Sequence, residues 1–213
     1  MKLQLALDHS LLSEALALVE TAADLVDIVE VGTPLVLSEG VRAVREIRGR
    51  FPRLTVLADF KIMDAGELEA SLAFRSGAHI VTVLGAAEDV TIDKACAAAR
   101  AAGAHVMVDL MAVADPVRRM KEITPLGPSW FCCHAAFDTQ QSGGNPLATL
   151  AALRAASAEC GLAVAGGITP ERLPALLPYA PAIAVVGGFV ARAADPRAAL
   201  LSIRAAMGHN PQS

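Results

Sequence analysis

The chain has 213 residues, 54% of them hydrophobic and 19% charged, with 16 scattered glycines and 12 prolines, a composition that excludes disorder and collagen-like repeats and fits one globular core. A formal net charge of −4 argues against a nucleic-acid partner held by bulk positive charge, so an anionic ligand would need a local site. Cys96, Cys132, Cys133 and Cys160 lack CxxC spacing, Asp8 interrupts the first apolar run too early for a signal-peptide core, and no run nears the ~20 residues of a membrane span. The expectation is a reduced, cytoplasmic, enzyme-sized domain with neither zinc nor a membrane partner.

Eight short runs rich in Val, Ile and Leu follow one another: Leu3–Leu7, Val26–Val31, Leu54–Ala58, His79–Leu84, His105–Leu110, Trp130–Cys133, Leu162–Ala165 and Ile183–Val186. Their weak alternation predicts strands covered on both faces. Between them lie stretches with helical spacing, among them 13–21, 39–50, 67–76, 92–102 and 146–159, and Gly77 and Gly103 stand where helix caps are needed. Eight such units predict an α/β fold, a single-domain (β/α)8 TIM barrel over residues 1–207 with a short tail at 208–213. An open doubly wound sheet is the alternative, but no glycine follows the first strand.

A barrel of this kind builds its active site at the C-terminal ends of its strands. Five of the eight end in polar residues: Asp8, Glu30, Asp59-Phe60-Lys61, Asp109 and His134. Charges aimed into a barrel mouth are costly unless paired or used, which favours a functional reading over surface salt bridges. Strands seven and eight end in Gly166-Gly167 and Gly187-Gly188. Bare amides there, with a helix N-terminus behind them, predict a phosphate grip, against the plainer reading of two tight turns. Glu30 and Asp59 offer hard oxygen ligands to Mg²⁺. His134 beside Asp109 reads as a general acid/base, the alternative being a histidine satisfied by backbone. His9, His79, His105 and His209 are assigned nothing, and Cys132 and Cys133 are expected in the core. This set suits proton abstraction beside a carbonyl on a sugar phosphate, with Lys61 at the resulting enediolate. The residues alone leave open whether that enediolate meets an aldehyde, a proton or a departing CO₂.

Leu5-Ala6-Leu7-Asp8, Val29-Glu30-Val31-Gly32-Thr33-Pro34, Ala58-Asp59-Phe60-Lys61-Ile62-Met63-Asp64-Ala65-Gly66, Val81-Thr82-Val83-Leu84-Gly85, Val108-Asp109-Leu110, Ala165-Gly166-Gly167 and Val186-Gly187-Gly188 resemble, in order, the 3-hexulose-6-phosphate synthases. That family shares an Asp-x-Lys-x-x-Asp motif with the 3-keto-L-gulonate-6-phosphate and orotidine 5′-phosphate decarboxylases. Glu30, where orotidine decarboxylases carry lysine, points to the metal-dependent branch. Asp109, Phe137, Ala165 and Gly188 depart from the gulonate decarboxylases toward the synthases, as does His134-Ala135-Ala136-Phe137-Asp138 followed by Gln140. Ala136 and Phe189 depart from the synthases themselves.

The resemblance implies a Mg²⁺-dependent aldol addition of formaldehyde to D-ribulose 5-phosphate, giving D-arabino-3-hexulose 6-phosphate, in a homodimer with shared active sites. It places Asp8, Lys61 and Asp64 at substrate and reaction centre, Asp64 in the neighbouring subunit's site. Glu30 and Asp59 would hold the metal, Asp109 and His134 would manage protons, and Gly166, Gly167, Gly187 and Gly188 would hold phosphate. The alternatives are decarboxylation of 3-keto-L-gulonate 6-phosphate and a catalytically silent sugar-phosphate-binding barrel.

Overall fold

The computed structural model describes the backbone of residues 1–140 and 146–208, and their side chains except those of Thr139 and Gln140. The motif side chain of Gln140, His209 and the tail beyond Gly208 lie outside the described residues. Strands β1 (Lys2–Leu7), β2 (Ile28–Val31), β3 (Thr55–Ile62), β4 (Ile80–Leu84), β5 (His105–Asp109), β6 (Trp130–His134), β7 (Leu162–Ala165) and β8 (Ile183–Val186) pair in parallel, each with the next, and β8 pairs with β1. This is the expected single-domain (β/α)8 barrel. Among the described residues no helix is long and apolar enough to cross a membrane.

The strands are apolar on both faces because the barrel has two cores. One lies between strands and helices. The other contains Ala6, Ile28, Leu57, Ile80, Met107, Cys132, Ala163, Ala165, Ile183 and Val185, drawn from all eight strands and from no helix, so it fills the barrel itself. Successive strand residues point to opposite faces. The interior set therefore fixes the parity of the strand ends: two positions on from Ala6, Ile28, Leu57, Ile80, Met107, Cys132, Ala165 and Val185 stand Asp8, Glu30, Asp59, Thr82, Asp109, His134, Gly167 and Gly187. Cys132 belongs to the inner core and Cys133 to the outer, as their adjacency requires.

Helices Leu12–Ala22, Gly66–Arg75, Asp89–Ala102 and Leu147–Ala156 form where helical spacing predicts them. The stretch 39–50 differs. A helix already begins at Thr33 with Pro34 in its first turn, Gly40 at φ 61° breaks it, and Val41–Arg50 follows as a second helix. Strand β3 also runs four residues past its predicted end, to Ile62. There the ladder is irregular: the four residues from Ala58 to Ile62 span the same distance as the two from Val81 to Val83 on β4. Such bulges bend a strand and re-aim its side chains. Lys61 sits in this bulge at φ 47°, a left-handed conformation uncommon for a side chain of its size.

Candidate active site

The inner parity brings the polar strand ends to a single cavity of about 840 Å³ at the C-terminal end of the barrel. Asp8, Glu30, Asp59, Lys61, Asp109 and His134 all line it, together with Gly166, Gly167, Gly187 and Gly188. Its size suits a small phosphorylated metabolite.

Asp59 is the hub. It is buried, and its Oδ1 accepts from the Thr82 hydroxyl at 2.7 Å while Oδ2 accepts from the Thr33 hydroxyl at 2.7 Å and from Lys61 Nζ. Burial alone would raise its pKa, but the Lys61 ammonium and these three donors hold it below the usual aspartate range. Burial likewise works against the Lys61 ammonium, yet Asp59, then Asp109 at 3.8 Å and Glu30, raise its pKa, so the group stays charged. Both side chains reach the cavity as alternation predicts, but through the bulge rather than through a regular strand.

Glu30 is also buried, and Gln4 Nε2 donates to its Oε2 at 2.7 Å. Burial, then Asp59 and Asp8, push its carboxyl well above the usual glutamate range. Asp8 is raised too, by crowding of its surroundings and then by Asp59. Three carboxylates thus converge against one ammonium, and a divalent cation is the kind of charge that would relieve them. Among the described residues no three His, Cys, Asp or Glu side chains form a ready-made metal cage. Mg²⁺, however, is commonly held by one or two carboxylates, with waters and substrate oxygens completing its shell. Glu30 and Asp59 fit that role, since Asp59 Oδ1 has one acceptor position beyond its bond to Thr82.

On the opposite wall, His134 Nδ1 lies 2.8 Å from Asp109 Oδ2, and Asp109 Oδ1 accepts from the Met111 amide at 2.9 Å. A carboxylate only accepts, so Nδ1 carries the proton and Nε2 is left as a base. Cys132 and Cys133 are buried, as expected. Burial, then Asp109, lifts the Cys133 thiol to about 12, and its Sγ donates to the Pro146 carbonyl, so it is no nucleophile.

The two glycine pairs differ. Gly166 and Gly167 take φ of 99° and 66°, and a Cβ on Gly166 would stand 2.3 Å from the Ala135 carbonyl oxygen, so that turn requires glycine. The second pair is not left-handed. The following helices, Leu173–Leu176 and Gly188–Ala191, are single turns, so the expected helix dipole adds little and the grip rests on bare amides.

Comparison with known proteins matches residues 1–203 to the profile of the orotidine 5′-phosphate decarboxylase / HUMPS family. The chain is 43% identical over 195 residues to the 3-hexulose-6-phosphate synthase of Bacillus subtilis (strain 168), covering 92% of this chain and 93% of that one. The chain belongs to this family. The crystal structure of 3-hexulose-6-phosphate synthase from Salmonella typhimurium superposes with a TM-score of 0.95 at 37% identity, covering 99% of this chain and 100% of that one. That of 3-keto-L-gulonate-6-phosphate decarboxylase from Vibrio cholerae O1 biovar El Tor gives 0.87 at 26% identity, with 97% of each chain covered.

One family-motif residue stays outside the cavity of its own barrel. Asp64 is exposed, and its Oδ1 accepts from the Ala65 amide at 2.6 Å. Among the lining residues that escaped the sequence reading are Gln4, Thr33, Thr82, Arg192 and His9, to which the sequence assigned nothing. The parity of β1 and β4 could have found Gln4 and Thr82, which lie on the same inward rows as Asp8 and Ile80. Arg192 stands just past the single helical turn that follows β8 and carried no periodic signal.

Proposed function

We propose that the chain catalyses the aldol addition of formaldehyde to D-ribulose 5-phosphate, giving D-arabino-3-hexulose 6-phosphate. Membership of this family makes it an enzyme of the lyase type, and the relatives named 3-hexulose-6-phosphate synthase support the choice of reaction. The observation that carries the mechanism is the His134–Asp109 pair beside Lys61 in one cavity.

The phosphate is held by the amides of the Gly166-Gly167 and Gly187-Gly188 turns, and Asp8 binds substrate hydroxyls. His134 Nε2 removes a proton from C1, and Asp109 keeps the imidazole in the required tautomer and balances the imidazolium. Lys61 stabilises the negative charge that develops on the C2 oxygen. The C1 carbon then attacks formaldehyde, forming the new carbon–carbon bond, and the imidazolium returns its proton to the resulting alkoxide. Glu30 and Asp59 would hold Mg²⁺, which would supply Lewis-acid stabilisation of the developing negative charge. Asp64 serves the site of a second copy in a homodimer. Its neighbours Met63, Leu68 and Leu72 are large apolar side chains left in solvent, with Leu68 and Leu72 one turn apart on the same helix, and such an exposed patch is typical of an interface.

The reaction is tested by incubating the protein with ribulose 5-phosphate, formaldehyde and Mg²⁺ and following formaldehyde loss. CO₂ release from 3-keto-L-gulonate 6-phosphate without formaldehyde loss would favour the decarboxylase instead. The base is tested by exchange of the C1 hydrogen into D₂O without formaldehyde. Loss of a general base typically costs ~10²–10⁴ in rate. A folded His134→Asn protein exchanging at the wild-type rate would transfer the role to Asp109.

A further inference from the structure

We propose that Arg192 is a specificity-determining residue of this site, its guanidinium gripping the phosphate of the ligand from one turn beyond β8. The inference rests on the sugar-phosphate reading above.

Lys61 and Arg192 are the only lysine or arginine among the described residues that line the cavity, against the carboxylates of Asp8, Glu30, Asp59, Asp109 and Asp138. An incoming phosphate dianion therefore meets a wall of its own sign unless a cation is free to receive it. Lys61 is committed to Asp59 and stands 3.8 Å from Asp109. The guanidinium of Arg192 makes no hydrogen bond or ion pair among the described residues. It is the uncommitted cation of the cavity.

Its position is specific. The side chain folds back over Gly188, so that a Cβ there would lie 2.6 Å from Nη1 and 2.8 Å from Nη2. Gly188 is not in the left-handed region, so its backbone does not demand glycine. What glycine provides at 188 is room for the guanidinium against the bare main chain. A planar fork of N–H donors held beside this turn, next to the Gly166-Gly167 turn of the neighbouring strand, matches a phosphate, whose oxygens accept two parallel hydrogen bonds from arginine. The side of the cavity from β3 to β6, from Asp59 to His134, is left for the carbon chemistry.

The test compares wild type with Arg192→Gln and Arg192→Lys. Calorimetric titration with inorganic phosphate and with ribulose 5-phosphate reads binding without turnover. Steady-state kinetics with formaldehyde reads KM and kcat separately. A charged hydrogen bond lost from both ground and transition states raises KM and spares kcat. Arg192→Gln is expected to weaken both ligands roughly ten- to a hundredfold and to raise KM alike, with kcat changed little and with unphosphorylated ribulose bound as by wild type. Arg192→Lys, a point charge without the fork, should recover part of the affinity. Unchanged phosphate affinity in Arg192→Gln would overturn the proposal, as would a loss confined to kcat. A wild-type protein that consumes no formaldehyde, but whose phosphate affinity still depends on Arg192, would overturn the aldol reading and leave this one standing.

Discussion

The Thr82 hydroxyl joins the two charged residues of β3: it accepts from the Lys61 amide at 2.9 Å and donates to Asp59 Oδ1 at 2.7 Å. Thr82 sits on β4 opposite the bulge, so the strand neighbour both satisfies the left-handed Lys61 backbone and orients the carboxylate. Removing the hydroxyl leaves a buried donor and acceptor unpaired, at a cost of ~1–3 kcal/mol each. Thr82→Val is therefore expected to keep the fold but lower kcat/KM by roughly 10–100-fold, the range found for partners that orient metal or catalytic ligands. Thr82→Ser, which keeps the hydroxyl, should stay near wild type. Steady-state kinetics on the pair, with thermal unfolding as the control for folding, checks this.

Exposed Asp64 beside an apolar patch leads to a complementation experiment. Lys61→Ala and Asp64→Ala proteins should each be nearly inactive, each having lost a member of every site. In a twofold dimer with shared sites, a hybrid carries both lesions in one site and none in the other, so statistical exchange should restore roughly a quarter of wild-type activity. Mixing the two under exchange conditions, with hybrid formation verified by mass spectrometry, reads the outcome. Silence from proven hybrids would place Asp64 outside the chemistry.

At the opposite end of the barrel, the Val56 amide donates to His79 Nδ1 at 3.0 Å, a bond that needs neutral imidazole. Burial, with Arg48 and His105 nearby, holds the His79 pKa below its ordinary value. The unfolded chain, titrating near ~6.5, then binds more protons than the folded one as the solution is acidified through that point. The stability His79 contributes is present above that pH and lost below it. Urea midpoints measured from pH 8 to pH 5 should fall more steeply on acidification for wild type than for His79→Gln. Parallel profiles would remove His79 as the cause.

Much of this site is legible in the sequence because parallel strands buried on both faces leave polar residues nowhere to go except the barrel mouth. Asp8, Glu30, Asp109 and His134 interrupt apolar runs, and each is found lining the cavity. The bulge in β3 was not legible, because the Asp59-Phe60-Lys61 spacing satisfies simple alternation while the real ladder slips. Thr33 and Thr82 were missed for a different reason. A threonine is an ordinary strand or helix residue, and its role arises only when a carboxylate from another strand is brought within 2.7 Å. The early helix at 33–39 shows the same limit, since its start is set by Pro34 rather than by apolar spacing.

The eight-strand interior ring bears on how such a protein can change. Asp8, Glu30, Asp59, Thr82, Asp109 and His134 each stand one pleat above a residue of the inner core, and the strand residues just before them turn outward to the helices. A substitution in the upper ring alters the reagents offered to a ligand without touching the contacts that hold strand to helix. A single residue inserted within a strand does the reverse, turning its reactive side chain away from the cavity and its helix-facing neighbours inward. Altered chemistry is therefore open to this scaffold by point replacement at the mouth, while additions of length are tolerable only in the connections.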